Sequence, residues 1–536
     1  MASDFLENRA FWENAGVKLP EFSIETMRAN TRENPVWVHF GAGNIFRAFI
    51  ARLQQRLLNE GKADRGIIAV DTFDYDILDK IYAPYDNLTM LVLMNADGRL
   101  DKEIVASISE GLKGDSGDGT DYTRLKEIFR KPSLQMISFT ITEKGYALKN
   151  LDGAYFPVVA QDIQNGPVQP RHAMSVVAAL LYERFKAGAL PLTVQSMDNC
   201  SHNGDKVKAA VFAYASKWVE QGLVPAEFLA YVKDETKITF PWSMIDKITP
   251  RPDAKVQKLL ADDGFEDNYT IVTEKHTFTA PFVNAEETQY LCIEDHYTNG
   301  RPPLELGGVL YCDRETVDKI EKMKVCTCLN PLHTAMSIYG CMLGYTLISA
   351  EMADEDLRAF IQKIGYIEAM PVVVDPGVLN PYEFIGAVIN RRLPNPFMPD
   401  APQRIATDTS QKLAIRFGET IKAYEARGLD KSNLILIPLV LAGYARYLKG
   451  IDDNGQAFEP STDPLLAELQ AIVAPLEVKE GEQDFSCLKK LYSRVDVFGV
   501  DLYAVGLGEK IEAMAKELFA GPGAVRKTLH KYTLAR

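Results

Sequence analysis

Apolar residues fall in short dense runs through the first part of the chain and at helical spacing later, and this change of rhythm divides the sequence. Val36-Trp37-Val38-His39-Phe40 is a β-rich run that leads into Gly41-Ala42-Gly43 and then a helical stretch over 46–60. Gly66-Ile67-Ile68-Ala69-Val70-Asp71 reads as a second buried strand, and 136–140 and 192–196 as later strands of the same sheet. Alternation of this kind predicts a doubly wound α/β domain. Beyond about residue 310 the pattern turns helical, over 315–324, 354–363, 410–427, 464–473 and 510–518. The expectation is therefore a Rossmann-like domain at 1–300 and a mostly α-helical domain at 301–536. Asn299-Gly300-Arg301-Pro302-Pro303 is the expected hinge, and the Gly/Asp-rich stretch 111–121 the expected mobile loop.

Composition narrows the function. With 536 residues, 46% hydrophobic and 25% charged, the chain has length for two to four ordinary globular domains. A net charge of −14 argues against a nucleic-acid surface or an anionic membrane, and means that an anionic substrate needs a local basic pocket. The longest apolar run, 434–442 with Pro438 inside it, falls short of the roughly 18–20 residues that span a bilayer. No signal pattern is visible in residues 1–11, and seven cysteines, an odd number, fit a reducing compartment. A cytoplasmic location is expected.

Gly41-x-Gly43 between a strand and a helix matches the start of a dinucleotide fingerprint. The first glycine permits the tight turn and the second lets the backbone approach a pyrophosphate at the helix N-terminus. The third position departs, because Phe46 stands where glycine or alanine is usual. Asp71, ending the second strand, is placed to bind adenosine ribose hydroxyls and so favours NAD; Asp74 is the alternative, and a capping aspartate the simpler role.

Three polar clusters follow. Ser196-Met197-Asp198-Asn199-Cys200-Ser201-His202-Asn203-Gly204 trails a strand, where amides can reach a substrate or merely form Asx turns. In Glu321-Lys322-Met323-Lys324-Val325-Cys326-Thr327-Cys328-Leu329-Asn330-Pro331-Leu332-His333, Pro331 belongs in a first helical turn, with Asn330 near the cap and His333 on the same side. A shielded lysine loses its proton near neutral pH and serves as a base. Cys326-x-Cys328 lacks a standard zinc spacing, so these read as structural thiols, with no metal expected. Arg404 to Lys412, preceded by Arg391-Arg392, offers cations for a carboxylate, or a solvated helix face.

Together these segments resemble the polyol-specific long-chain dehydrogenase (mannitol dehydrogenase) family. The likeness runs in order from His39–Arg47 through Thr142-Glu143-Lys144-Gly145-Tyr146, Asp198-Asn199, Met244–Pro250, the lysine–asparagine–histidine segment and Arg404–Lys412 to Arg446-Tyr447-Leu448-Lys449-Gly450 and Asp463-Pro464. The resemblance implies metal-free hydride transfer with NAD between a keto sugar acid and its hydroxy acid, D-fructuronate and D-mannonate, with mannitol and tagaturonate as alternative substrates. It makes Lys324 the acid/base, Asn199 and Asn330 the oxyanion pair, and His333, Arg404, Lys412 and Asp246 the substrate contacts. Glu321 becomes a proton relay, and Gly41, Gly43, Asn44, Ile45, Phe46 and Asp71 hold the cofactor. Lys324 precedes Asn330 by six positions, one more than in the family, which leaves Lys322 as the competing base. Thr409 stands where the family has glycine, and insertions are expected near 150–170 and 251–270. A non-catalytic nucleotide-binding regulatory or scaffold protein is the reading from another class.

Overall fold

The computed structural model describes residues 8–150 and 152–534, so the N-terminal segment read for a signal lies mostly outside the described residues. The chain clusters into two compact units, Met1–Asn95 with Arg99–Asp318, and Ala96–Gly98 with Lys319–Arg536.

The first unit is built on a six-stranded sheet: β1 Trp37–Phe40, β2 Ile67–Asp71, β3 Ile108–Lys113, β4 Met136–Phe139, β5 Leu192–Ser196 and β6 Ile238–Thr239. Its order is β3-β2-β1-β4-β5-β6, and each neighbouring pair is parallel. This is the doubly wound Rossmann order, with its reversal point between β1 and β4. Both faces are covered, so every residue of β1, β2, β4 and β5 is buried, the polar His39, Asp71, Ser138, Thr193, Gln195 and Ser196 included. The period of two still sorts the side chains. Val38, Phe40, Ile68, Val70, Ile137 and Phe139 enter one core, while Trp37, Ile67, Ala69 and Met136 enter the other.

Four features differ from expectation. The helix after β1 opens with a π turn, Phe46–Ile50, before α1, Ala51–Asn59. An antiparallel hairpin, Thr89–Met94 with Leu100–Val105, is inserted between β2 and β3 and extended by Phe282–Glu286. The supposed mobile loop begins inside β3, and its remainder is a turn in which Asp118 accepts from the Thr120 and Asp121 amides at 3.0 Å each. The supposed hinge is fastened within the first unit. Asn299 donates to the Leu134 carbonyl at 2.6 Å, Arg301 pairs with Glu305 at 2.6 Å, and its guanidinium lies 3.6 Å from the Tyr311 ring centre.

After β6 come β7 Ser243–Asp246, β8 Tyr290–Glu294 and β9 Leu310–Cys312, a sheet of three strands in which β8 is central. From Arg314 onward every named element is a helix or helical turn, beginning with α2, Arg314–Met323, and α3, Asn330–Met342. The helix expected over 410–427 is broken into a 3₁₀ turn, a π turn at Ala414–Gly418 and the helix Glu419–Ala426. Among the described residues, no helix is long and apolar enough to cross a membrane.

Candidate active site

The nucleotide end lies at the carboxyl edge of the first sheet. Gly41 has φ +105°, and a Cβ there would lie 2.2 Å from the Thr140 carbonyl oxygen, so neither the conformation nor the space admits another residue. At Gly43 a Cβ would meet nothing within 4 Å, which leaves its backbone open to a ligand at the start of a helix. Asp71 is buried; it accepts from the Ala42 amide at 3.2 Å and from the Phe73 and Asp74 amides at 2.8 and 2.7 Å. Burial pushes its carboxyl up, against the pull of those three amides. Asp74 is engaged elsewhere, receiving the Thr273 hydroxyl at 2.6 Å. Phe46 takes the place of the third glycine, buried and stacked on His39 with ring centres 4.2 Å apart. That glycine ordinarily allows close helix–strand packing; here a ring fills the gap. Asn44 receives the buried Arg47 at 2.8 Å, and Arg47 also donates to the Ala280 carbonyl at 2.9 Å. The Asn44 and Phe46 side chains thus build the loop, the Gly41 and Ala42 amides are taken by the Val70 carbonyl and Asp71, and the Gly43 backbone is the part that could face a cofactor. An open glycine at a helix start beside a strand-end carboxylate fits a dinucleotide.

His39 bridges β1 and β4. Its Nδ1 lies 2.6 Å from the Ser138 hydroxyl and Nε2 lies 2.8 Å from the Thr140 hydroxyl, and burial lowers its pKa to about 3. The ring is neutral. We expect Gly41→Ala to abolish measurable NADH binding, read by fluorescence titration alongside circular dichroism. Unchanged affinity would mean that the Gly41–Thr140 approach is dispensable.

The loop after β5 divides its labour. Asp198 accepts from the Ile141 and Thr142 amides at 3.0 and 2.8 Å and from the Tyr146 hydroxyl. Asn203 donates to the Asp198 carbonyl at 2.9 Å and to the Ser243 carbonyl at 3.0 Å. These two do the turn-making, and Asn199 between them is exposed. Asp246 is buried at the end of β7, while Lys247 is committed to the Glu286 carbonyl and to Gln289 at 3.2 Å.

In the second unit Lys324 is 3% exposed, whereas Lys322 is exposed, so burial distinguishes the two lysines. Lys324 opens a π turn, Lys324–Cys328, closed by the Leu329 amide donating to the Lys324 carbonyl at 3.1 Å. A π turn takes up one residue more than an α turn. Here that turn and the Leu329 cap span the six-residue step to Asn330, where α3 begins. Asn330 is the first residue of α3 and Leu329 its cap, so Asn330 does not fill the capping role its type suggests. Glu321 is partly buried on α2, one turn before Lys324. Burial raises the Cys328 thiol to about 12, as suits a structural cysteine.

His333, on α3, is lowered to about 4, first by burial, with Asp400 opposing and Arg392, Arg416 and Arg404 adding to the fall. Arg392 is buried and Arg391 exposed. Arg416 donates to the Thr334 hydroxyl, the residue next to His333, and burial lowers it to about 10. Sequence reading passed over Arg416; its position four after Lys412 on one helical face was the available signal. Arg404 is exposed and paired with Asp400. Lys412 donates to the Ile405 carbonyl at 3.1 Å and to that of Thr407, so its ammonium fastens its own loop.

Comparison with known proteins identifies the family and the fold. Residues 36–304 match the mannitol dehydrogenase Rossmann domain and residues 316–518 the mannitol dehydrogenase C-terminal domain. The chain is 52% identical over 529 residues to D-mannonate oxidoreductase of Thermotoga maritima, covering 98% of this chain and 97% of that one. A substrate-free D-sorbitol dehydrogenase superposes with TM-score 0.79 at 25% identity, covering 95% of this chain and 97% of that one. Pseudomonas fluorescens mannitol 2-dehydrogenase, in a ternary complex with NAD and D-mannitol, gives TM-score 0.67 at 25% identity and 96% coverage of both. With both halves matched in order, this chain belongs to the mannitol dehydrogenase family.

Proposed function

We propose that the protein is an NAD-dependent reductase interconverting D-fructuronate and D-mannonate. The observation that carries an acid as substrate is the gathering of arginines whose charge reaches His333: Arg392, Arg416 and Arg404, with Asp400 opposing them. The whole chain has a charge of −14, so this is the local basic site that an anion requires. Arginine forks match a carboxylate in charge and geometry, which a neutral polyol does not offer. The likeness to D-mannonate oxidoreductase over almost the whole chain supports the same substrate.

Reduction adds a hydride to the carbonyl carbon and a proton to its oxygen. NAD supplies or takes up the hydride when bound; the Gly41–Phe46 backbone, Ile45 included, would hold its pyrophosphate and Asp71 its ribose. Lys324 delivers the proton to the oxygen and removes it in the reverse direction, with Glu321 passing it to solvent. Asn330 and Asn199 keep the oxyanion role that the resemblance gives them. His333, neutral at physiological pH, orients hydroxyls, and Asp246 supports the substrate. Arg416 and Arg392 take the carboxylate, a task assigned to Arg404 and Lys412 by resemblance alone. Arg404 screens Asp400, and Lys412 shapes the loop.

The test is NADH oxidation with D-fructuronate, D-tagaturonate and D-fructose in parallel. Preference for fructuronate is expected. Preference for fructose would move the substrate to a polyol, and NADH binding without any turnover would favour the non-catalytic reading. Arg416→Met should raise KM for fructuronate about 10- to 100-fold, the loss of one charge-assisted hydrogen bond, with KM for NADH unchanged. An equal rise for fructose would give Arg416 a packing role through Thr334 instead.

A further inference from the structure

β8 and β9 are parallel neighbours in which Cys292 faces Leu310 and Cys312 faces Glu294. Two residues of register separate the cysteines, so both side chains stand on the same face of the sheet. Their sulfurs approach to 2.9 Å as free thiols. A disulfide has S–S of about 2.05 Å, so bonding asks for a further closure of about 1 Å between side chains already aimed at each other. Cys292 is 1% exposed, while Cys312 is partly exposed at the end of its strand. A small oxidant can therefore reach one sulfur, and the other waits behind it.

We propose that Cys292 and Cys312 are a modification site, a dithiol that hydrogen peroxide converts to a reversible intrachain disulfide. Cys312 attacks the peroxide oxygen as thiolate, the O–O bond breaks, and the leaving oxygen departs as water after protonation. The resulting sulfenic acid at Cys312 is attacked by the Cys292 sulfur; the S–S bond forms, the S–O bond breaks, and a second water leaves. Two thiols thus give up two electrons and two hydrogens to one molecule of hydrogen peroxide. The contact itself prepares this order, because the hydrogen bond from Cys292 draws the Cys312 thiol down while it holds Cys292 up.

The location gives the bond consequences. Cys292 pairs across to Met244 in β7, the strand whose Ser243 anchors Asn203 and which ends in Asp246. Cys312 lies two residues before Arg314, where α2 begins its run toward Lys324. Glu294, opposite Cys312, holds Arg314 at 3.0 Å and accepts from the Trp242 amide at 2.9 Å. A disulfide here locks β8 to β9 at the root of that helix, whatever sugar the enzyme reduces.

The experiment treats the full-length protein with hydrogen peroxide, quenches with an alkylating agent and maps peptides by mass spectrometry with and without reductant. A protease specific for acidic residues separates the pair, since Glu294, Asp295 and Glu305 lie between them. The expected result is a loss of two hydrogens and a Cys292–Cys312 cross-linked peptide that reductant divides. Cys292→Ser should instead accumulate a sulfenic acid at Cys312 that dimedone traps, and Cys312→Ser should give neither product. Full alkylation of both cysteines after peroxide would overturn the proposal, as would a cross-link through Cys200, Cys326, Cys328, Cys341 or Cys487.

Discussion

Lys324→Ala is expected to lower turnover of the ketone by about 10²- to 10⁴-fold, the usual share of a positioned acid/base, while NADH binding stays within twofold. The lysine is 3% exposed at the opening of a π turn, with the backbone behind it fixed by the Leu329 amide. Lys322→Ala is the matched control: its side chain is exposed on the last turn of α2 and should leave kcat unchanged. If Lys322→Ala abolished turnover and Lys324→Ala did not, the proton would belong to the other lysine. If neither did, the proton would come from a different group and Lys324 would serve packing.

The first unit is the more legible half in sequence. Its strands are buried on both faces, so Ile67-Ile68-Ala69-Val70 and Val36–Phe40 announce themselves as apolar runs, and Gly41-x-Gly43 marks the turn between strand and helix. What the pattern did not carry was anything made by pairing distant segments. The hairpin Thr89–Met94 with Leu100–Val105 turns at Asn95-Ala96-Asp97-Gly98, a local signal, whereas its further strand, Phe282–Glu286, comes from far along the chain and has none. The packing of 299–303 is of the same kind: Asn299 and Arg301 are held by Leu134 and Tyr311, which composition does not announce.

The second unit hid its site behind π turns. Lys324, Arg392 and Arg416 each lie in one, Lys324–Cys328, Val388–Arg392 and Ala414–Gly418. Each such turn advances the chain by one residue relative to a 3.6-residue helix, so a face assigned by ordinary spacing is wrong beyond it. That is why 410–427 read as one helix and why Arg416 was not connected with His333. Lys412 shows the converse limit. Its position among basic residues suggests a ligand contact, yet its acceptors are two carbonyls of its own loop. Residue type and order can nominate a cation, but only packing shows which acceptors it already has.

Packing also makes the largest expected effect on stability, at a residue with no part in the chemistry. Glu351, on the helix Ile348–Ala353, is fully buried, and neither carboxylate oxygen has a hydrogen-bond partner. It fits because Gly340 has no side chain: a Cβ there would lie 2.2 Å from Glu351 Oε1. Burial, aided by nearby Asp354, pushes the carboxyl well above the ordinary carboxylate range, so the folded protein keeps the proton. The unfolded chain loses it at the ordinary pKa. Between those two values the folded state binds more protons, and stability therefore falls as pH rises; it is fully present below the unfolded pKa. His39 acts in the opposite sense, since its depressed pKa of about 3 costs stability as pH falls below 6.5. Glu351→Gln removes the ionisation while keeping shape. The variant should match the parent in Tm near pH 5 and exceed it increasingly toward pH 9, because an unpaired buried carboxylate costs several kcal/mol. Thermal unfolding across that range measures the difference. A parallel pair of Tm curves would show that Glu351 ionises in the folded state as freely as in the unfolded one, and that its isolation in the core is relieved by solvent.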